Sequence, residues 1–383
     1  MSEQRPMQTP SSRADPQARW IALISGQKRG LLAGAARLLL ALQAILYRAA
    51  LAIGSAMCHL PRYVKRVPCS VISVGNLTIG GTGKTPMVAY LARLAAALDR
   101  RPLIVSRGYG ARPGRLNEEA RELERLVPGV PHVQNADRYR AIVDWRTRHA
   151  CDLVILDDGF QHRRLARDLD IVLVDALRPF GFGRVLPRGL LREPLSALRR
   201  ADVIVVTRAE LVAAAELARL KRDLEPRLRP GTPILVAEHR PTALVMLDGS
   251  RRPPESLRGQ NVAAACAIGN PEAFRLTVEH LGARVALFET FRDHHPYAPA
   301  DLAGLIEAAR TAGAKTLVTT GKDSVKWLPL MEGQAAAPSV EIGALEVEMA
   351  LVEGEDLLRG RVAALGAVRA GGEHAPTQDL PAD

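Results

Sequence analysis

The chain has 383 residues, of which 47% are hydrophobic and 4% aromatic, with a formal net charge of +11. This length supports one large or two medium-sized domains and excludes a small disulfide-stapled scaffold, in keeping with scattered cysteines that form no C-x-x-C pair. The positive charge suits a membrane surface or a phosphorylated substrate, and aromatic-interleaved basic strands typical of nucleic-acid modules are lacking. We therefore expect no nucleic-acid partner.

The N-terminal part of the chain divides into a polar and an apolar segment. Residues 1–18 are rich in Pro, Ser and Arg, which predicts disorder. Residues 19–60 are strongly apolar, but Arg37 and Arg48 lie about three helical turns apart on one face, and the run between them is far shorter than the ~20 residues of a membrane span. The opposite side carries Leu38, Leu39, Leu42, Ile45 and Leu46. This pattern favours an amphipathic, membrane-associated helix in the interface over a docking helix of a globular domain.

Short apolar strands alternate with helical segments from residue 61 onward. Within 61–240 the expected strands cover 69–75, 102–106, 152–157, 170–175, 202–207 and 232–237. Uninterrupted apolar runs predict an α/β fold with a parallel sheet and helices on both faces. Residues 241–258 read as a hairpin linker, 259–360 as a second, smaller α/β lobe, and 361–383 as a flexible tail.

A glycine-rich loop follows the first of these strands, in the run SVGNLTIGGTGKTP that ends at Pro86. Backbone N–H groups of such a loop cradle a polyphosphate at a helix N-terminus, as in P-loop NTPases. Lys84 would reach the β- and γ-phosphates, and the Thr85 hydroxyl would ligate Mg²⁺. The general pattern G-x-x-x-x-G-K-S/T has its first glycine where this chain has Thr78. The expected nucleotide-binding residues are Thr78, Gly80, Gly81, Thr82, Gly83, Lys84 and Thr85; a tight strand–helix turn is the alternative.

Two adjacent carboxylates, Asp157 and Asp158, end the strand of 152–157. The carboxyl edge of a parallel sheet is where an acid that organises Mg²⁺ lies opposite a P-loop. Because successive strand residues point to opposite faces, one aspartate, taken as Asp157, would ligate the metal or its water while the other positions a neighbour. An ordinary Asp-Asp-Gly turn is the alternative.

Three further segments carry chemistry. A loop imidazole in Asp293-His294-His295-Pro-Tyr297 would serve as a proton-transfer group of a kinase, although a solvated loop is equally compatible. Arg107 follows a strand and would suit a phosphate, since its guanidinium is a planar fork. The Gly/Pro/Arg loop of 178–192, with Arg184 and Arg188, would hold an anionic, apolar ligand.

Together these segments resemble the tetraacyldisaccharide 4′-kinase family, the lipid A 4′-kinases. The matching elements run in order from about residue 70 to 327: SVGNLTIGGTGKTP, SRGYG, ILDDGFQHRRLARDLDIVLVDA, FGFG with LPRGLLRE, VTRAE, AIGNPEAF, FRDHHPY and TTGKDSVK. Thr78 is also what that family shows, and an N-terminal membrane-associated helix is a family feature.

The resemblance implies ATP- and Mg²⁺-dependent phosphorylation of the 4′-hydroxyl of a tetraacylated disaccharide 1-phosphate, forming lipid IVA. It places the protein on the cytoplasmic face of the inner membrane, peripheral or monotopic. In the base system proposed for the family, a histidine is paired with the aspartate of a G-D-E-P motif. The matching histidine in this chain is His294, and His295 is the second choice. This chain departs from that motif: Glu118 stands at the aspartate position without flanking Gly or Pro, and Glu119 is the alternative.

Two other functions remain open on the residues alone. A P-loop kinase of a soluble metabolite would share the loop but has no use for the apolar N-terminal segment. A membrane-attached P-loop switch or metallochaperone would need an N-K-x-D motif. The sequences Thr207-Arg-Ala-Glu210 and Thr320-Gly-Lys-Asp323 both depart from it.

Overall fold

The computed structural model describes residues 16–58, 60, 63–108, 117–293, 295–331 and 340–366, so residues 1–15 of the predicted disordered N-terminus and most of the predicted tail lie outside it. The helices of the described residues are α1 (Pro16–Ile24), α2 (Leu31–Met57), α3 (Lys84–Ala97), α4 (Glu118–Leu126), α5 (Arg138–Arg146), α6 (Ala214–Leu224), α7 (Pro271–His280), α8 (Pro299–Thr311), α9 (Gly321–Met331) and α10 (Glu355–Ala364). Two predictions are corrected here: α1 begins within the segment 1–18 predicted as disordered, and α10 includes the first residues of the segment 361–383 predicted as a flexible tail.

The strands of the same residues are β1 (Ser70–Asn76), β2 (Pro102–Ser106), β3 (His132–Gln134), β4 (Leu153–Leu156), β5 (Leu169–Asp175), β6 (Val203–Thr207), β7 (Ile234–Met246), β8 (Arg251–Arg252), β9 (Asn261–Cys266), β10 (Arg284–Thr290), β11 (Thr316–Thr320) and β12 (Glu341–Glu353). They form one sheet in the order β10-β9-β11-β12-β7-β6-β5-β1-β4-β2-β3, with β8 beside β7. Neighbours are parallel except where β7 meets β12 and β8.

The sheet is covered on both faces, which confirms the predicted α/β fold. In β5, Ile171 packs into a cluster with Met87 and Leu91 of α3, whereas its neighbour Val172 packs into a cluster with Leu224 of α6. Because successive strand residues face opposite sides, an uninterrupted apolar strand is what two covered faces require.

Strand β7 departs from the sequence expectation of a short strand at 232–237. It continues to Met246 and pairs along its length with β12, from Val236 opposite Glu353 to Met246 opposite Gly343. It then pairs with β8 within the segment predicted as a hairpin linker. The predicted units 61–240 and 259–360 therefore contribute strands to one sheet, and their division into separate domains stays a prediction.

Helix α2 is a 27-residue apolar helix whose side chains are mostly exposed. Leu31 and Leu46 are 94% and 72% exposed, while Ala44 is buried. The helix continues through Arg37 and Arg48, so by length and composition it is able to cross a membrane. The interfacial arrangement expected from the two arginines stays a prediction. An exposed apolar helix of this kind is consistent with membrane association.

Candidate functional site

The glycine-rich loop connects β1 to α3 at the middle of the sheet. Helix α3 begins at Lys84, and the preceding Gly83 has a φ of 89°. A Cβ at Gly83 would lie 2.5 Å from His239 Nε2, so glycine is required there for both backbone and space. Lys84 Nζ lies 3.2 Å from Asn76 Oδ1 and 3.5 Å from Asp158 Oδ1. The ammonium group thus connects the loop to the end of β4.

A cavity of about 550 Å³ opens over this loop and gathers most of the predicted nucleotide site. Its lining includes Arg107, Asp157, Asp158 and the loop residues Gly80, Gly81, Thr82, Gly83, Lys84 and Thr85. Thr78 lies outside this lining. Its backbone carbonyl accepts a hydrogen bond from Asn76 Nδ2 at 2.7 Å, and the residue lines a smaller cavity next to this one.

The two aspartates after β4 differ sharply in environment. Asp157 is 4% exposed, and its Oδ1 has no hydrogen-bond partner in the described part of the chain. Burial, reinforced by the charge of Glu119, raises the pKa of Asp157 to about 7. Burial opposes ionisation of Asp158 as well, but Lys84 and Arg192 outweigh it and lower the pKa of Asp158 to about 2. The pair therefore offers one buried, unpartnered carboxylate oxygen and one fully ionised carboxylate.

Arginine side chains hold this acidic turn in place. Arg192 Nη1 donates to both carboxylate oxygens of Asp158 at 2.8 and 2.7 Å. Arg138 Nη2, on a nearly buried side chain, donates to the backbone carbonyls of Asp157 and Asp158 at 3.1 Å each. Such charge-assisted hydrogen bonds fix the direction in which the carboxylates point.

The segment of residues 259–360, hereafter the second lobe, supplies the opposite wall of the cavity, a role that was not predicted for its residues. Apolar and polar side chains of α7, β11, α9 and β12 line it, namely Phe274, Thr277, Thr320, Lys322, Leu345 and Val347. These residues come from separate segments without a shared local motif. Arg192 and Arg208 also line the cavity. Arg192 ends the loop 178–192 predicted to hold an anionic ligand, whereas the only sequence signal of Arg208 is its place in the quoted segment VTRAE.

The loop before α7 joins the second lobe to the P-loop. A Cβ at Gly269 would lie 2.6 Å from the backbone nitrogen of Gly81. The next residue, Asn270, donates from Nδ2 to Asp175 Oδ2 at 2.8 Å, and Arg208 Nη1 donates to the same oxygen at 2.6 Å. The AIGNPEAF segment thus packs directly on the nucleotide loop.

The predicted acidic partner lies at the start of α4. Glu118 Oε2 is 2.9 Å from Lys326 Nζ, and Glu118 is not part of the cavity lining. The neighbouring Glu119 lines the cavity, as does Glu122 one turn later. Helix α4 therefore places three glutamates at this end of the site.

His294 lies outside the described residues, but both of its neighbours are defined. Asp293 lines the nucleotide cavity, and its Oδ1 is 3.1 Å from Lys322 Nζ. His295 Nε2 is 2.9 Å from Asp301 Oδ2, and its ring stacks on Phe291. His295 is thus engaged within the second lobe, away from the cavity lining.

A second cavity of about 270 Å³ adjoins the P-loop on the side of α1. It shares Gly80, Gly81 and Thr82 with the first cavity and includes Trp20 and Ile21 of α1. Arg178, from the loop 178–192 predicted to hold an anionic ligand, also lines it, as does Arg292, which carried no predicted role.

The predicted substrate residues Arg184 and Arg188 lie outside both cavity linings. Arg188 Nη1 donates to the carbonyl of Ile24 at the end of α1, 2.9 Å away. Burial first, then the charges of Arg184 and Arg37, lowers the pKa of Arg188. These three arginines therefore form a basic group beside the first turns of α2.

A central strand that leads through a glycine-rich loop to Lys84, with carboxylates just after the adjacent strand, defines a P-loop nucleotide-binding protein. The family model described as tetraacyldisaccharide-1-P 4′-kinase matches residues 36–364. The chain belongs to that family and is a kinase.

Individual relatives agree with the family match. A protein named tetraacyldisaccharide 4′-kinase from Syntrophus aciditrophicus is 43% identical over 289 residues, 69% of this chain and 77% of its own length. One of the same name from Geobacter sulfurreducens is 40% identical over 332 residues, 80% of this chain and 89% of its own. The crystal structure of LpxK from Aquifex aeolicus in complex with ATP is similar with a TM-score of 0.61 and 29% identity, covering 86% of this chain and 99% of that one.

Proposed function

We infer that this chain transfers the γ-phosphoryl group of ATP to the 4′-hydroxyl of a tetraacylated disaccharide 1-phosphate, forming lipid IVA. One observation carries this inference: the nucleotide cavity and the second cavity meet at Gly80, Gly81 and Thr82. The second cavity is bounded by α1, and α1 is followed in the chain by the exposed apolar helix α2. A kinase of a soluble metabolite has no need of such a helix, and nothing observed favours a non-kinase switch.

The P-loop residues fit a nucleotide triphosphate. Backbone N–H groups from Gly80 to Gly83 would hold the β- and γ-phosphates, and Lys84 would exchange its contact with Asp158 for a phosphate oxygen. The apolar wall that includes Phe274 and Leu345 would face the nucleoside. Arg107 would engage phosphate from the edge of the cavity.

The residues also fit Mg²⁺. Asp157 carries a buried carboxylate oxygen without a partner, and Thr85 lies in the same cavity lining. A Mg²⁺ ion held by these two groups would neutralise charge on the transferring phosphate. Among the described residues, no group of three or more His, Cys, Asp or Glu side chains is arranged to hold a metal, in keeping with an ion completed by phosphate and water.

The acceptor hydroxyl must lose its proton as it attacks the γ-phosphorus. We assign this proton to His294, with Glu118 orienting or stabilising the imidazolium and Glu119 as the alternative acid. Asp158 stays ionised beside Lys84 and Arg192 and holds them in place. In-line positioning and charge stabilisation then supply most of the rate enhancement.

The lipid acceptor places the reaction at the membrane. We propose that α2 holds the protein on the cytoplasmic face of the inner membrane, as a peripheral or monotopic protein, with its exposed leucines in the acyl region. Arg184 and Arg188 would contact anionic headgroups or the acceptor phosphate beside it.

The test is transfer of ³²P from γ-labelled Mg·ATP to tetraacyldisaccharide 1-phosphate in mixed micelles. We expect labelled lipid with the wild type, none above background with Lys84→Ala, and at least about a 100-fold loss with His294→Ala. Glu118→Gln and Glu119→Gln form a matched pair that identifies the acid. Nucleotide hydrolysis without lipid labelling would overturn the proposed function.

A further inference from the structure

Helix α9 lies between the two segments that carry the proposed base system. On one side it packs on α4, which begins with Glu118. On the other it contacts Asp293 and His295, the residues on either side of His294 in the sequence. Its two lysines, Lys322 and Lys326, are four residues apart and therefore lie on one side of the helix.

Lys326 contacts both segments at once. Its Nζ lies 2.9 Å from Glu118 Oε2 and donates to the carbonyl oxygen of His295 at 3.2 Å. The same group lies 5.8 Å from the centre of the Tyr297 ring. With a side chain 12% exposed, Lys326 has little freedom to make other contacts. A single ammonium group thus connects the acid-bearing helix to the residue that follows His294.

Lys322 holds the residue on the other side of His294. Its Nζ lies 3.1 Å from Asp293 Oδ1, and its side chain is 15% exposed on the wall of the nucleotide cavity. Burial opposes the charge on Lys322, but Asp293, Glu119 and Glu122 outweigh it and raise its pKa. The residues before and after His294 are therefore each bound by a lysine of α9.

The start of α9 is itself fixed. The buried Asp323 accepts hydrogen bonds at Oδ2 from the backbone nitrogen of Ala267 at 3.0 Å and from Thr320 Oγ1 at 2.7 Å. These contacts tie the helix to β9 and β11. The lysines therefore project from a rigid element, as positioning groups must.

We propose that Lys322 and Lys326 are positioning residues that align Glu118 with Asp293 and His295, the sequence neighbours of His294, for proton removal from the acceptor. This inference rests on the proposed function. Partly buried ion pairs contribute little net stability because desolvation offsets their attraction. Alignment of reacting groups, by contrast, is sensitive to displacements of about 1 Å, which can lower a rate about 100-fold.

A double-mutant cycle tests the link between Lys326 and Glu118. We expect Lys326→Met to lower kcat at least about 10-fold, with KM for ATP within about twofold of the wild type. Because Lys326 acts through Glu118, the variant with both Lys326→Met and Glu118→Gln should be no slower than Glu118→Gln alone. Lys326→Arg should retain more activity than Lys326→Met.

The matched control is the ion pair between Lys221 and Glu353, which lies outside the cavity linings. Lys221→Met and Glu353→Gln should leave kcat unchanged. The inference is overturned if Lys326→Met leaves kcat intact, or if its effect multiplies with that of Glu118→Gln. Should Lys326→Met fail to fold, a second double-mutant cycle with Lys322→Met and Asp293→Asn decides. The inference is then overturned if Lys322→Met leaves kcat intact, or if its effect multiplies with that of Asp293→Asn. Absence of transfer by the wild type would instead contradict the proposed function.

Discussion

Asn270 donates a hydrogen bond from Nδ2 to Asp175 Oδ2 over 2.8 Å, joining the second lobe to the end of β5. Asp175 accepts from the buried Arg208 at the same oxygen. This carboxylate therefore connects β5, the residue after β6 and the cap of α7 beneath the P-loop. We assign it a structural role, and it lines the second cavity together with Gly80, Gly81 and Thr82.

Asp175→Asn should destabilise the protein by about 3–5 kcal/mol, because it leaves the buried Arg208 guanidinium without its counter-charge. Urea unfolding followed by circular dichroism measures this free energy. The control, Glu341→Gln, removes an ion pair with Arg252 at the surface and should leave the unfolding midpoint unchanged. Equal midpoints for all three proteins would contradict the assigned role of Asp175.

Asp157→Asn should stabilise the metal-free protein at pH 8 but not at pH 4. Burial raises the pKa of Asp157 from 3.8 to about 7. Between these two pH values the carboxyl group stays protonated in the folded wild type but is ionised in the unfolded chain. The free energy of unfolding of the wild type therefore falls as pH rises from about 4 to 7. The gain on substitution is at most about 4 kcal/mol.

Thermal unfolding in EDTA at pH 4, 6 and 8 measures this difference between Asp157→Asn and the wild type. A constant difference at all three pH values would show that the carboxyl does not titrate in this range.

Arg192→Met should weaken ATP binding by about 10- to 100-fold. Arg192 donates hydrogen bonds to both carboxylate oxygens of Asp158. Without Arg192, Lys84 is the remaining ion-pair partner of Asp158, so the Asp158 carboxylate draws the Lys84 ammonium group away from phosphate. Hydrogen bonds to charged groups contribute about 1.5–3 kcal/mol. Titration with a fluorescent ATP analogue gives the affinity.

For comparison, Arg229→Met removes an arginine that pairs with Asp202 outside the cavity linings and should bind ATP as the wild type does. An unchanged affinity in Arg192→Met would mean that Lys84 reaches phosphate independently of Arg192.

Replacing Leu39 and Leu46 together by Gln should release the protein from membranes. These side chains are 58% and 72% exposed on α2, and burying each one contributes about 1.5–3 kcal/mol, so partitioning should fall at least about 100-fold. Co-sedimentation with vesicles of phosphatidylethanolamine and phosphatidylglycerol measures it. The same double change at the exposed Val352 and Leu357 should have no effect. Retention of the α2 variant on vesicles would place the membrane contact elsewhere.

The local features of the site were accessible from the sequence because each is encoded by a short continuous segment. The P-loop up to Thr85 is one such segment, and the aspartates after β4 are another. Strand positions followed from apolar runs, since a strand buried on both faces needs apolar side chains on both. Strand alternation was expected to separate Asp157 from Asp158. Both lie instead in the turn after β4, where Asp158 has a φ of 49°, so their different surroundings come from the turn and its neighbours.

Only the tertiary structure decided which distant segments meet. Nothing in the sequence around Glu118 indicates Lys326, and nothing near Asp158 indicates Arg192, because such pairs depend on how whole elements pack. Strand β7 likewise reads as a short strand followed by a linker. The strand extends to Met246 because it pairs with β12. Hydrogen bonds from β12 satisfy the backbone groups of this segment, which local sequence preference alone would leave in a loop.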